Sequence, residues 1–321
     1  MSSCVTTTHH SLLTTHLECV KLAFLFPGQG AQTVGMGRQL VERTPPAREV
    51  FERANAILGY DLLQVCLEGP PEKLDSTVFS QPALFVTSLA ALEWLCANKP
   101  DVFNGCQAAA GLSLGEYTAL VFAGVLSFED GLRVVQERGR AMQDAADSVK
   151  SGMVSILGME RDAIEKLCSN TRQPGEVLQI ANLLCPGNIV VSGHKSASDR
   201  IAEVATQAGA MKTIPLAVAG AFHTSLMQPA VERLAKALAA VKLNKPRFPV
   251  ISNVDATAHD NPEEIRKLLT QQVVSPVRWE DSQRKLLADG YGPFWEVGPG
   301  RVLRGLLKRI DRKAEADGVE C

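Results

Sequence analysis

A pentapeptide, Gly111-Leu112-Ser113-Leu114-Gly115, constrains this chain more than any other stretch. It fits G-x-S-x-G, follows the small-residue run Gln107–Leu112, and precedes the helix-forming Glu116-Tyr117-Thr118-Ala119-Leu120. A serine at a strand-to-helix junction between two glycines puts a hydroxyl on a sharp turn, because the glycines admit backbone that passes too close for a Cβ. The following helix aims its first N–H groups and its positive dipole end at any developing oxyanion. The same five residues can also form a packing turn around an idle serine. The strand before and the helix after favour the catalytic alternative.

The rest of the chain alternates in a way that suits such an elbow. Leu22–Phe26 is a strand running into Pro27-Gly28-Gln29-Gly30, and helical periodicity follows over Gly37–Leu58 and Gln81–Ala97. After the elbow helix, Ser127-Phe128-Glu129-Asp130 resembles a capping box and starts a helix to about Asp147. From Gly152 the spacing predicts strand (Met153–Leu157), helix (Arg161–Cys168), strands (Leu178–Asn182, Asn188–Ser192), helix (Ser196–Gln207) and strand (Met211–Leu216). That order, β-α-β-β-α-β, is the split ferredoxin-like unit. Helix (Ser225–Val241), strand (Pro249–Ser252), helices (Pro262–Val273, Trp279–Ala288), strand (Phe294–Val297) and a basic helix (Arg301–Arg312) complete the pattern. The expectation is an α/β fold. Residues 21–148 and 217–313 form an α/β-hydrolase-like core, 149–216 an inserted ferredoxin-like subdomain, and 314–321 a tail.

Composition removes several classes. A net charge of −2 lacks the basic excess of a nucleic-acid binder. The eight cysteines include no C-x-x-C pair, so neither a zinc site nor a dithiol is expected, and a reducing compartment suits them. The cytoplasm is the first expectation and the plastid stroma the alternative. Residues 1–20 are Ser/Thr-rich, lack Arg, and have no sustained apolar run; they read as a disordered leader, neither secretory signal nor transit peptide. No segment approaches the roughly 20 apolar residues that span a bilayer, so no membrane partner is expected.

A serine nucleophile needs a base. His9, His10 and His16 fall in the leader, and His194 and His259 in polar, turn-like stretches. Only His223 ends a small, largely apolar segment, Ala217–Phe222, where strand gives way to helix. A buried, satisfied histidine is the bland alternative, and elimination favours the base. No acidic residue stands out as a third member, and a backbone carbonyl can fix the imidazole tautomer instead. On the helix after Ser127, Arg133, Glu137, Arg140 and Asp144 form a polar stripe, whereas Arg138 shares its face with Gly131, Val135, Met142 and Ala145. An arginine on the buried face either snorkels or meets an anion.

The motifs Phe26-Pro27-Gly28-Gln29-Gly30-Ala31-Gln32, Gly111–Tyr117, Ala221-Phe222-His223 and Glu296-Val297-Gly298-Pro299-Gly300 occur in that order. Together they resemble the malonyl-CoA:acyl carrier protein transacylases of fatty-acid synthesis, relatives of polyketide synthase acyltransferase domains, over about Leu22 to Lys313. One departure is Leu112, where most members carry His. The resemblance implies transfer of a malonyl group from malonyl-CoA to the phosphopantetheine thiol of acyl carrier protein, through a malonyl-serine on Ser113 and with His223 as base. It implies no metal and no bound cofactor. Gln29 and the Leu114 N–H would hold the oxyanion, Arg138 the malonyl carboxylate, and the Gln272 carbonyl the histidine. Phe222 would limit acyl size, as an aromatic there accompanies malonyl in polyketide acyltransferases. Asn182 falls in a run resembling a substrate-pocket segment and reads equally well as a turn residue. The basic terminal helix is a solvated face or, as the lesser alternative, a surface steering an acidic carrier or coenzyme A phosphates. By residues alone, an esterase-like hydrolase and a non-enzymatic carrier-binding scaffold remain open.

Overall fold

A computed structural model describes residues 21–321; the expectations for the leader and for Cys4 and Cys19 fall outside the described residues. Among the described residues nine strands form two sheets. β1 (Lys21–Phe26), β2 (Cys106–Gly111), β7 (Val250–Ile251), β8 (Tyr291–Glu296) and β9 (Ala316–Gly318) make a sheet in the order β7-β2-β1-β8-β9, with every pairing parallel. Between β2 and β7 the chain builds β3 (Ser151–Leu157), β4 (Leu178–Cys185), β5 (Asn188–His194) and β6 (Lys212–Pro215), an antiparallel sheet in the order β4-β5-β3-β6. The fold is mixed α/β.

The unbroken apolar run of β1 follows from burial on both faces, the habit of parallel strands. Phe24 and Phe26 enter one apolar cluster, while Ala23 and Leu25 enter a second on the opposite face. The two sheets are joined by backbone. Asn182 of β4 pairs in parallel with Val277, with Leu183 N–H donating to the Val277 carbonyl at 2.9 Å and Val277 N–H to the Ala181 carbonyl at 2.8 Å.

Several expectations shift. The periodic stretch 37–58 is two helices, Arg38–Arg43 and Pro45–Leu58, because Pro45 starts a new helix and the chain is extended at Thr44. The supposed tail holds β9, which pairs with β8; three residues are too few to register as a periodic pattern. Among the described residues one helix, Thr77–Asn98, is long and apolar enough to cross a membrane, contrary to the hydropathy reading. Its polar members Ser80, Gln81, Thr87 and Ser88 interrupt the apolar run in sequence but are themselves buried. It packs against helices Pro45–Leu58 and Phe128–Ser148, and 78% of its most apolar window is inside the protein, as expected of a core helix apolar on most sides.

Candidate active site

The elbow is set by steric necessity. A Cβ on Gly111 would lie 1.9 Å from the Gly115 carbonyl carbon, and one on Gly115 would lie 2.1 Å from the Phe26 oxygen. β2 can therefore turn straight into helix Leu114–Phe122 only with glycine at both places. The turn leaves Ser113 at φ 50°, ψ −99°, a conformation that costs on the order of 1–3 kcal/mol in a non-glycine residue. Asn253, just past β7, spans the turn: its Oδ1 accepts from Ser113 N–H at 2.6 Å and its Nδ2 donates to the Gly111 carbonyl at 2.7 Å.

His223 meets the serine from the loop after β6, with Nε2 2.8 Å from Ser113 Oγ. Its Nδ1 lies 3.0 Å from the Gln272 carbonyl. A carbonyl only accepts, so Nδ1 carries the proton and Nε2 is free to accept one from the hydroxyl. The acceptor is available because Gln272 ends helix Pro262–Gln272, where carbonyls lack a following turn. Burial first, and then the positive Arg138, push the histidine down from its usual range to about 4. It is thus a neutral imidazole at physiological pH.

Arg138 is 1% exposed, and the stripe it shares with Gly131, Val135, Met142 and Ala145 is buried as the spacing requires. It donates to Gln81 Oε1 at 2.7 Å, to Gln272 Oε1 at 3.0 Å and to Ser113 Oγ at 3.0 Å, and stacks 5.1 Å over the Tyr117 ring. Its buried Nε has no hydrogen-bond partner. A desolvated guanidinium beside the nucleophile, held by neutral groups, is suited to an incoming carboxylate.

A cavity of about 210 Å³ opens over these groups, lined by Gln29, Ser113, Leu114, Arg138, Asn182, Phe222 and His223 among others. Gln272 joins them through its bonds to Arg138 and His223. The sequence-derived set is therefore brought together. Gln29 Nε2 donates to Thr77 Oγ1 at 3.3 Å, beside the elbow. Leu114 opens its helix, so its N–H has no preceding turn to bond within. Ser113 N–H is taken by Asn253, and Gln29 and Leu114 line the cavity beside it. The alternative histidines lie elsewhere: His194 Nδ1 accepts from Val177 N–H at 2.8 Å, and His259 pairs with Asp255 at 2.8 Å. The Gly298 motif carries the fold, since Glu296 accepts from Leu303 and Arg304 N–H, each at 3.0 Å, capping helix Val302–Ile310.

Sequence reasoning missed Gln81, Glu116 and Asn253. Gln81 carried a signal, a long polar side chain in an otherwise apolar helix. Glu116 is 3% exposed, and burial raises its carboxyl to about 7 against hydrogen bonds from Asn253 and Gln272.

Comparison with known proteins places these residues in context. The acyl transferase domain family matches residues 23–318. The malonyl CoA-acyl carrier protein transacylase of Bacillus subtilis is 42% identical over 301 residues, 93% of each chain. The mitochondrial malonyl-CoA-acyl carrier protein transacylase of Homo sapiens is 45% identical over 90% of this chain and 77% of its own. A malonyl-transacylase solved in complex with its type II polyketide acyl-carrier protein superposes with a TM-score of 0.89 at 37% identity, covering 94% of this chain and 96% of that one.

Proposed function

The chain belongs to the acyl transferase domain family, and from that membership and the site described above we propose that it moves a malonyl group from malonyl-CoA to the phosphopantetheine thiol of an acyl carrier protein, supplying malonyl carrier protein for fatty-acid synthesis. The observation that carries the mechanism is the 2.8 Å contact between Ser113 Oγ and an imidazole whose other nitrogen is held by a carbonyl. Ser113 Oγ attacks the thioester carbon while His223 Nε2 takes the hydroxyl proton. The oxyanion rests on Leu114 N–H and Gln29. The C–S bond then breaks, His223 returns the proton to the departing thiolate, and a malonyl-serine ester remains. The carrier thiol next gives its proton to His223 and attacks the ester. The tetrahedral intermediate expels Ser113, which is reprotonated, so the kinetics are ping-pong.

Arg138 holds the malonyl carboxylate. Its positive charge depresses His223, so a bound carboxylate that neutralises it strengthens the base when the substrate is in place. Phe222 bounds the acyl site, and Asn182 also lines it.

We read residues 21–148 and 217–313, extended to β9, as an α/β-hydrolase-like core and 149–216 as a ferredoxin-like insert. The elbow supports the first, although the parallel sheet takes a doubly wound strand order. The β6-β3-β5-β4 order with two intervening helices supports the second. A reducing compartment, the cytoplasm first and the plastid stroma second, is supported by the free thiols of the six described cysteines.

Intact mass after incubation with malonyl-CoA tests the assignment. The wild type should gain one malonyl group and Ser113→Ala none. Hydrolysis of malonyl-CoA without transfer to a carrier would favour an esterase instead, and absence of any acyl-serine a scaffold.

A further inference from the structure

Beneath the nucleophile lies a carboxylate that the acyl transfer does not use. Glu116 sits in the first turn of the helix that Ser113 opens. Its Oε2 accepts from the main-chain N–H of Asn253 at 3.0 Å and from Gln272 Nε2 at 2.6 Å. Both partners reach the reacting groups. Asn253 bridges the two ends of the elbow through Ser113 N–H and the Gly111 carbonyl. Gln272 donates to the Ser113 carbonyl at 3.0 Å, accepts from Arg138 through Oε1, and holds His223 through its main-chain carbonyl.

The two ends of a side-chain amide have nearly the same shape, and its neighbours decide which end points where. Arg138 offers only donors, and an ionised Glu116 offers only acceptors. Between them the Gln272 amide has a single satisfied orientation, oxygen toward the arginine and nitrogen toward the carboxylate. The same arrangement gives Arg138 a counter-charge at one amide's remove, leaving the guanidinium open to another anion. Burying a carboxylate is costly, and an apolar side chain would fill this helix position at less expense if packing were its only task.

We propose that Glu116 is the positioning residue of this site: through Asn253 and Gln272, one buried carboxylate oxygen fixes the elbow, the base and the carboxylate-binding arginine together. The ionised form is the one the geometry calls for. Burial opposes it, raising the group to about 7. The titratable groups around it are Arg138, Tyr117 and Asp255, with His259 across a small shared cavity and His223 on the far side of Gln272. Protonation removes the charge that strengthens both bonds to Oε2, and a proton on Oε2 itself would oppose Asn253 N–H and the Gln272 amide.

The inference rests on the proposed function for the identity of the acyl group, but not for the reactivity of Ser113. The test is therefore the rate at which a fluorophosphonate probe labels Ser113, a reaction that needs the nucleophile and base and not the malonyl pocket. It is measured from about pH 5 to about pH 9 on the wild type, Glu116→Gln and Glu116→Ala, with thermal unfolding in parallel. Glu116→Ala should label roughly 30- to 100-fold more slowly and Glu116→Gln roughly 3- to 10-fold more slowly per folded molecule. The wild type should lose rate as pH falls below about 7, and Glu116→Gln should not. Malonyl-thioester acylation should follow the same order, with the saturating rate falling and KM rising, since the base and the carboxylate-binding arginine are both held through Gln272. Equal labelling by the folded proteins, or a low-pH limb retained in Glu116→Gln, would overturn the proposal; if Glu116→Ala does not fold, the pH profile of Glu116→Gln decides it. Should malonyl-CoA fail to acylate a wild type whose labelling behaves as expected, the acyl assignment falls and the positioning role stands.

Discussion

Arg138 Nη2 donates to Ser113 Oγ at 3.0 Å, so the group proposed to bind the malonyl carboxylate also touches the nucleophile. Recognition and attack therefore occupy one small volume. A malonyl carboxylate that engages the guanidinium brings its own thioester carbon within reach of the hydroxyl.

Arg138→Ala should separate malonyl from acetyl. Truncating one partner of a buried charge pair costs about 2–5 kcal/mol, or roughly 30- to several-thousand-fold in kcat/KM for malonyl-CoA. Acetyl-CoA has no carboxylate to strand and should change far less. Arg138→Lys should restore only part of the loss, since the fork is gone. Arg133→Ala, an exposed partner of Asp130 at 3.2 Å, is the control and should leave both rates alone. Equal losses for both thioesters would make Arg138 purely structural.

Phe222 is buried against the acyl cavity. Phe222→Ala should admit an α-methyl group, raising the methylmalonyl-to-malonyl ratio of kcat/KM by about 1–3 kcal/mol of discrimination. A wild type that uses the two thioesters equally would count against this wall.

His223 predicts a pH dependence of stability. Its folded value, about 4, lies below its ordinary 6.5, so the unfolded chain binds the proton more tightly between those limits. The contribution is fully present above about pH 6.5 and is lost as pH falls toward 4, on the order of 3 kcal/mol in all. Glu116 has the opposite sign: its raised value makes stability fall as pH rises from 4.5 to about 7. The two offset each other in the wild type. His223→Gln should unmask the Glu116 slope, so that this variant gains stability on mild acidification relative to the wild type. Denaturant melts of both proteins across that range check it; parallel curves would contradict the assignment.

The elbow predicts two results of opposite sign. Ser113→Gly relieves a φ of 50° and should stabilise by about 1 kcal/mol relative to Ser113→Ala, which keeps the strain. Gly111→Ala drives a methyl into the Gly115 backbone and should destabilise by more than about 3 kcal/mol or prevent folding. Thermal denaturation of the three variants is sufficient.

Residues with a local signature could be read before the fold was seen. Ser113 lay between glycines at a change of periodicity, Arg138 fell off the polar stripe of its helix, and His223 was left by elimination. The remainder act at long range. Asn253 reaches Ser113 across 140 positions, and its surroundings look like an ordinary turn. Glu116, near a helix start, reads as a residue suited to the dipole, which hides that it is buried and bridging. Gln272 holds His223 through its main chain, which no side-chain identity announces, and came only through family resemblance. The strand β9 is too short for alternation to be visible.

The backbone pairing of Asn182 with Val277 makes one wall of the acyl cavity continuous with the segment that ends helix Pro262–Gln272, five residues upstream, where the histidine is anchored. Moving that wall outward to accept a bulkier acyl group pulls on the same strip of chain that sets the imidazole against the serine. On the proposed function, breadth of substrate choice and speed of attack are thus expected to be geared to each other. Variants that widen the pocket from the β4 side should trade turnover for tolerance, which acylation rates across a series of acyl thioesters would show.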